Sequence, residues 1–200
     1  MKLTYKGCLK NLEQLPKGNL PKNAVKFREP NTPTMANIVM VLYLVPALLT
    51  IKVIVLIVLK TNNNVDMKFN LLGAFFALLV CIPHEFLHAI CFPSKAEVQM
   101  YFVPKSLMLT VTCTEPITKL NYIWMSLCPN LFLGWIPLII WSLLPGIPII
   151  SGLLYSYSLI SIVMGCGDYM NIANASIQMP HKSFQQLSGF NSYWFKDKLL

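Results

Sequence analysis

Two histidines and a glutamate in the segment His84-Glu85-Phe86-Leu87-His88 have the types and spacing of a metal-dependent hydrolytic site. On a helix, positions i and i+4 lie on one face, so His84 and His88 can each offer an imidazole nitrogen to one ion. Glu85 projects beside them and can take a proton from a metal-polarised water molecule. Zinc is the expected ion, because imidazole suits it and hydrolysis needs no redox change. We predict His84 and His88 as metal ligands and Glu85 as the catalytic base.

A catalytic zinc site has three protein ligands and one open position, so the motif needs a third ligand. The candidates are Glu97, Glu115, Asp168 and His181. Depth in the membrane favours Asp168, because His88 and Asp168 lie about 27 Å and 31 Å from the outer ends of their apolar stretches at 1.5 Å per residue. We predict Asp168 as the third ligand. The alternative interpretation is a helix-end aspartate that faces the cytoplasm.

Composition places these residues in a membrane protein. Of 200 residues, 55% are hydrophobic and only 12% are charged, whereas a soluble domain has about a quarter of its residues charged. Disorder, collagen, a coiled coil and an ordinary cytosolic enzyme are therefore excluded for the whole chain. The net charge of +8 comes largely from basic residues near the N-terminus, which is typical of a cytoplasmic flank and does not indicate nucleic-acid binding.

Four apolar stretches are each long enough to cross the hydrocarbon core, which takes about 20 helical residues. Between the second and third stretches, Val98–Val103 and Leu107–Thr114 favour strands. The predicted fold is an all-α polytopic membrane protein of about four transmembrane helices with a small β-hairpin between helices 2 and 3. The predicted spans are 36–59, 70–92, 122–144 and 147–168.

Three regions follow from this pattern. Residues 1–35 form a polar N-terminal cytoplasmic segment, residues 36–178 a membrane metalloprotease-like domain, and residues 179–200 an interfacial cytoplasmic tail. Basic residues near membrane ends stay in the cytoplasm, so both termini and the hairpin should face it. The near absence of Arg favours a bacterial genome rich in AT. We therefore expect a multi-pass protein of the bacterial cell membrane, with the lipid bilayer as a partner.

The residues also resemble a known group. The segment from His84 to Ala89, a short strand-rich insert, Gly167-Asp168 late in the last span and the entry segment Leu20–Phe27 resemble the bacterial putative zincin peptidase family, a family of unknown function. That family is distantly similar to the site-2 proteases, which cleave substrates within the membrane.

The resemblance covers nearly the whole chain and implies specific roles. It implies that His84, His88 and Asp168 hold zinc and that Glu85 is the catalytic base. The setting of the aspartate departs from the Asn-Pro-Asp-Gly that is usual in site-2 proteases, and 200 residues leave no room for a PDZ-like domain.

The expected function is zinc-dependent hydrolysis of peptide bonds near the cytoplasmic membrane face. The substrate would be a membrane protein or peptide, held extended by pairing with the hairpin. One alternative is a catalytically inactive metal-binding scaffold or interaction protein. Another is a transporter of metal or small solutes, for which Lys52 within the first span is a candidate residue.

Overall fold

The computed structural model describes residues 1–30, 32–61, 67–104, 108–144 and 148–196. Seven α-helices lie in these ranges: α1 Pro33–Thr61, α2 Leu71–Leu79, α3 Cys81–Ile90, α4 Lys119–Asn130, α5 Ile136–Leu143, α6 Pro148–Met164 and α7 Cys166–Gln178. A π-helical turn, Leu131–Trp135, joins α4 to α5. The predicted connections at residues 62–66, 105–107 and 145–147 lie outside the described residues.

Within the described residues, three helical segments are long and apolar enough to cross a membrane: α1, α2 with α3, and α4 with α5. The pair α6 and α7 makes a fourth if it counts as one bent span. Large apolar side chains along α1, such as Val41, Leu42 and Leu49, remain exposed on the isolated chain. Such a surface is consistent with contact with lipid tails.

The second and fourth spans are interrupted. Pro83 lacks a backbone N–H, and the helix breaks at Val80 before it restarts with the His84 N–H to Val80 carbonyl bond of 2.9 Å. The fourth span bends by 48° between Met164 and Cys166. It does not end near Asp168 as expected, because α7 continues to Gln178 and holds Asp168 in its first turn.

The predicted hairpin is present as the antiparallel strands β3, Glu97–Val103, and β4, Met108–Thr112. A further strand, β1 (Lys2–Cys8), pairs in parallel with β3, so the sheet order is β1-β3-β4. Among the described strands β4 pairs with β3 and with no other, so it is an edge strand.

A second sheet makes the all-α prediction wrong as stated. It contains β2 (Val25–Lys26), β5 (Ile117–Thr118), β6 (Phe184–Ser188) and β7 (Asn191–Phe195), in the order β2-β7-β6-β5. Its strands come from the N-terminal segment, from the approach to α4 and from the tail. The physical reason is that these polar, aromatic segments satisfy their backbone groups by pairing with one another.

Two clusters of buried apolar side chains hold the elements together. One, with Phe27, Val98 and Tyr122 at its centre, lies where both sheets meet α3, α4 and α7. The other, with Leu138, Trp141 and Ile162, lies between α1, α5 and α6. The helix α4 packs against both α3 and α7, and the predicted site residues lie on α3 and α7.

Candidate metal centre

The motif His84 to His88 lies on α3, immediately after the break at Val80. Its helical geometry places both imidazoles on one face, and the two Nε2 atoms are 3.2 Å apart. The His84, Glu85 and His88 side chains each offer a ligand atom, and these atoms all lie within 4.8 Å of one another. The cluster that the spacing predicted is therefore present in the fold.

Asp168 reaches the same point from α7. Its Oδ2 lies 3.2 Å from His84 Nε2, and its Oδ1 lies 3.2 Å from His88 Nε2. The carboxylate is buried, with a residue exposure of 7%. Asp168 therefore faces both histidines, although it lies eighty positions after His88 in the sequence.

The donor set can be tested against the geometry that zinc requires. In a tetrahedral site with metal–ligand distances of about 2.0–2.1 Å, neighbouring ligand atoms lie about 3.3–3.4 Å apart. The two Nε2 atoms and the Asp168 oxygens show three separations of 3.2 Å. Two neutral imidazoles and one carboxylate are also a set that suits zinc. The two histidines meet different oxygens of the carboxylate, and by donor type and spacing the three residues fit a zinc ion with three protein ligands.

The ring of His88 is held in a defined orientation. Its Nδ1 lies 2.9 Å from the backbone carbonyl oxygen of Met125 on α4. A carbonyl oxygen only accepts, so Nδ1 carries a hydrogen, and in the neutral ring Nε2 then has a free lone pair. The Nε2 atom faces His84 and Asp168, and a carbonyl partner on the other nitrogen is typical of histidines that ligate metals.

Asn130 performs the equivalent task for Asp168. Its side-chain Nδ2 donates to Asp168 Oδ2 at 2.7 Å and to the Ser126 carbonyl at 3.3 Å. Asn130 is 1% exposed, so the sequence places a polar amide in the middle of a span to hold the carboxylate. Asn171, one turn after Asp168 on α7, makes no such bond among the described residues.

Two backbone features bring Asn130 to Asp168. A Cβ atom on Gly165 would overlap the Asn130 side chain, so only glycine allows α7 to begin this close to α4. Directly after Asn130 the helix widens into the π turn, in which the Ile136 N–H bonds the Leu131 carbonyl. Pro137 follows and lacks the N–H that an α-helix would use, which accounts for the local widening.

Glu85 lies between the histidines and the first sheet. Its side chain is partly buried, and the backbone N–H of Val111 in β4 points at its carboxylate. An N–H that points at Glu85 cannot also pair with β3. The outer edge of β4 therefore runs past the predicted catalytic base.

The structure does not bring the other candidate ligands to this point. Glu97 is exposed and pairs with Lys2 at 3.7 Å, while Glu115 and His181 are exposed elsewhere on the surface. Lys52 is exposed on α1. Asn130 is the residue that sequence reasoning missed, and its signal was an amide within an apolar span, where polar groups are costly.

A family model described as "Putative zincin peptidase" matches residues 75–184, more than half of the chain. The matched range contains the His-Glu-His cluster, β3 and β4, Asn130 and Asp168. No curated protein and no solved structure matches the chain.

Proposed function

Because the chain belongs to the family described as "Putative zincin peptidase", we propose that it is a zinc-dependent membrane-embedded peptidase of the site-2-protease type. In this proposal His84, His88 and Asp168 hold the ion and Glu85 is the base. One observation carries the proposal: the two Nε2 atoms and the Asp168 carboxylate meet at separations of 3.2 Å. Two imidazole nitrogens and a carboxylate at these separations are the donor set of a three-ligand zinc site, and all three bind the ion in their deprotonated forms.

The chemistry divides between the ion and the chain. A bound zinc ion supplies a Lewis acid and makes a water molecule nucleophilic near neutral pH. Glu85 accepts the proton of the attacking water and delivers it to the amine nitrogen when the C–N bond breaks. Met125 and Asn130 keep His88 and Asp168 aligned while this happens.

The edge strand β4 is where an extended substrate would lie. Peptide bonds inside a helix are shielded, so a substrate must be extended at the bond that is cut. The Val111 N–H points at Glu85, so the outer edge of β4 and the base face the same space. A substrate strand paired with that edge would present its backbone to the base.

We place the site near the cytoplasmic face of a bacterial membrane. Seven basic residues precede residue 35, and basic flanks stay in the cytoplasm. The candidate spans support a membrane location. Reporter fusions at both termini would test this orientation, with cytoplasmic signals expected from each.

The test compares the wild type with Glu85→Gln, His84→Ala and Asp168→Ala, each purified in detergent. We expect about one zinc per chain in the wild type and Glu85→Gln, and loss of zinc in the other two. Cells that express the wild type should show new N-termini in membrane proteins, and cells that express Glu85→Gln should not.

Two results would contradict the proposal. A wild type that binds no zinc after supplementation would leave no hydrolytic centre. Cleavage by Glu85→Gln equal to that by the wild type would remove the base from the mechanism. A zinc-loaded protein for which Glu85→Gln is silent in every assay would instead be the metal-binding scaffold.

A further inference from the structure

A small cavity of about 10 Å³, partly open to the outside, lies against the face of α3 that carries His84, between α2, the π turn and α6. Most of its walls are apolar, and its strongest hydrogen-bonding side chains are those of His84 and Ser161. A cavity of this volume holds about one water molecule, provided that polar groups are there to bind it. The volume of this cavity therefore suits a single water molecule.

Ser161 is a buried hydroxyl that lacks a partner. Its exposure is 7%, and its Oγ makes no hydrogen bond within the described part of the chain. Tyr157, one turn earlier on α6, lies near it without a hydrogen bond of normal geometry. Two other buried serines on α6 are satisfied: Ser156 accepts from the Asn70 N–H, and Ser158 donates to the Leu154 carbonyl. A buried hydroxyl without a partner is costly and needs an explanation.

The ring of His84 lacks a partner on its other nitrogen. Its Nε2 faces His88 and Asp168, and Nδ1 makes no hydrogen bond to any described residue. The equivalent atom of His88 bonds the Met125 carbonyl. Histidines that ligate metals almost always use their second nitrogen in this way, because that bond fixes the tautomer and the ring orientation.

We propose that one buried water occupies this cavity and joins the Ser161 hydroxyl to Nδ1 of His84. The water accepts the Nδ1 hydrogen and shares a hydrogen bond with Ser161 Oγ, so that both orphaned groups are satisfied. Ser161 is then a positioning residue that acts on the metal centre through His84. The effect on zinc rests on the proposed function, whereas the presence of the water does not.

The first experiment measures zinc affinity by competition with a chelator. The variants are Ser161→Ala, which removes the hydroxyl, and Ser161→Val, which also fills the cavity. Ser158→Ala is the matched control, because it deletes a buried hydroxyl on the same helix that bonds its own backbone. We expect both Ser161 variants to bind zinc roughly tenfold or more weakly and the control to bind as the wild type does. Wild-type affinity in both Ser161 variants would overturn the role in positioning.

The second experiment does not depend on zinc. A crystal structure of the metal-free wild type, at a resolution that shows ordered water, should contain one water within hydrogen-bond distance of Ser161 Oγ and His84 Nδ1. The same site in Ser161→Val should be dry. A dry site in the wild type overturns the proposal, even if zinc binds. A water at the site in a protein that binds no zinc supports the water and rejects the peptidase.

Discussion

At the scale of single residues, the site depends on an amide outside the His-Glu-His motif. Asn130 bonds Asp168 Oδ2 at 2.7 Å while its own helix carbonyl at Ser126 receives its other hydrogen. The amide thus ties the carboxylate of α7 to the backbone of α4. Without it, the Asp168 carboxylate would lose this fixed direction.

We expect Asn130→Ala to weaken zinc binding by roughly 10–100-fold, as loss of a ligand's hydrogen-bond partner usually does. Asn171→Ala is the matched control, because this substitution removes an amide of the same type from α7, the helix that carries Asp168. Competition with a chelator measures both affinities. Equal affinities in the two variants would show that Asp168 needs no partner from α4.

Residue spacing predicted part of this arrangement. The i, i+4 rule for His84 and His88 is local, so the sequence alone sufficed for the pair that the structure places 3.2 Å apart. Asp168 was predicted because its depth in the fourth span is close to that of His88 in the second span. Asn130 was missed because its partner lies 38 residues away, and the register between two bent helices does not follow from periodicity.

At the scale of elements, the close approach of α4 and α7 determines the geometry of the site. Substitutions at two glycines of α7 and its N-terminus test this dependence. A methyl group at Gly165 would overlap Asn130, whereas one at Gly167 would make ordinary contact with Met40 Sδ at 3.6 Å. We expect Gly165→Ala to destabilise the fold by about 1–3 kcal/mol and to weaken zinc binding, with Gly167→Ala close to the wild type. Thermal unfolding in detergent is the measurement, and equal unfolding temperatures for the two variants would contradict it.

The outer edge of β4 offers a second test. Backbone groups alternate along a strand, so the Leu109 N–H points to the same side as that of Val111. Leu109→Pro removes an outward donor and leaves the ladder to β3 intact. We expect zinc content to be unchanged and kcat/KM to fall by roughly tenfold, which corresponds to the loss of about one hydrogen bond between the strand and the substrate.

The control for this test is Thr110→Pro, which removes an N–H that faces β3 and should break the ladder. That variant should lose stability as well as activity. Full activity of Leu109→Pro on a peptide substrate would mean that substrates do not pair with β4.

The β3–β4 hairpin was predictable because strand-favouring residues surround a proline turn. The strands β2 and β5 have two residues each, and such short elements carry no periodic signal. The bend between α6 and α7 was also missed, since the apolar stretch continues through it. In each case the structure depends on contacts with residues far along the chain, and a local sequence pattern does not contain them.

At the scale of the whole molecule, the N-terminal segment folds against the tail. The strand β2 pairs with β7, and Asn23 donates to the Lys196 carbonyl at 3.0 Å. Glu29 lies at this junction and accepts from the Ser192 N–H at 3.3 Å. Burial raises the pKa of Glu29 above its ordinary value of 4.5, although the Ser192 bonds and Lys26 act in the opposite direction.

This raised pKa predicts how stability depends on pH. The folded protein keeps the Glu29 proton at pH values where the unfolded chain releases it, so the contribution of Glu29 is greatest below pH 4.5 and declines as pH rises through the folded pKa. Glu29→Gln stays neutral and should gain stability over the wild type as pH rises above 4.5. Unfolding of the metal-free protein in detergent between pH 4 and 8 measures the difference.

Glu13→Gln, exposed in the same segment, is the control and should track the wild type. A difference between Glu29→Gln and the wild type that is constant with pH would contradict the prediction. Metal-free protein is essential, because protonation of zinc ligands would add its own pH dependence.

The distance along the chain between His88 and Asp168 has a consequence for synthesis. At about 5–20 residues per second, the ribosome needs roughly 4–16 s to add the eighty residues that follow His88, up to and including Asp168. During that interval the nascent chain carries a histidine pair without the carboxylate that faces it in the fold. Under the proposed ligand set, the hydrolytic centre is incomplete while the membrane insertion machinery is inserting the helices that precede α7. Under that ligand set, the order of the residues in the sequence delays activity until α7 has been made.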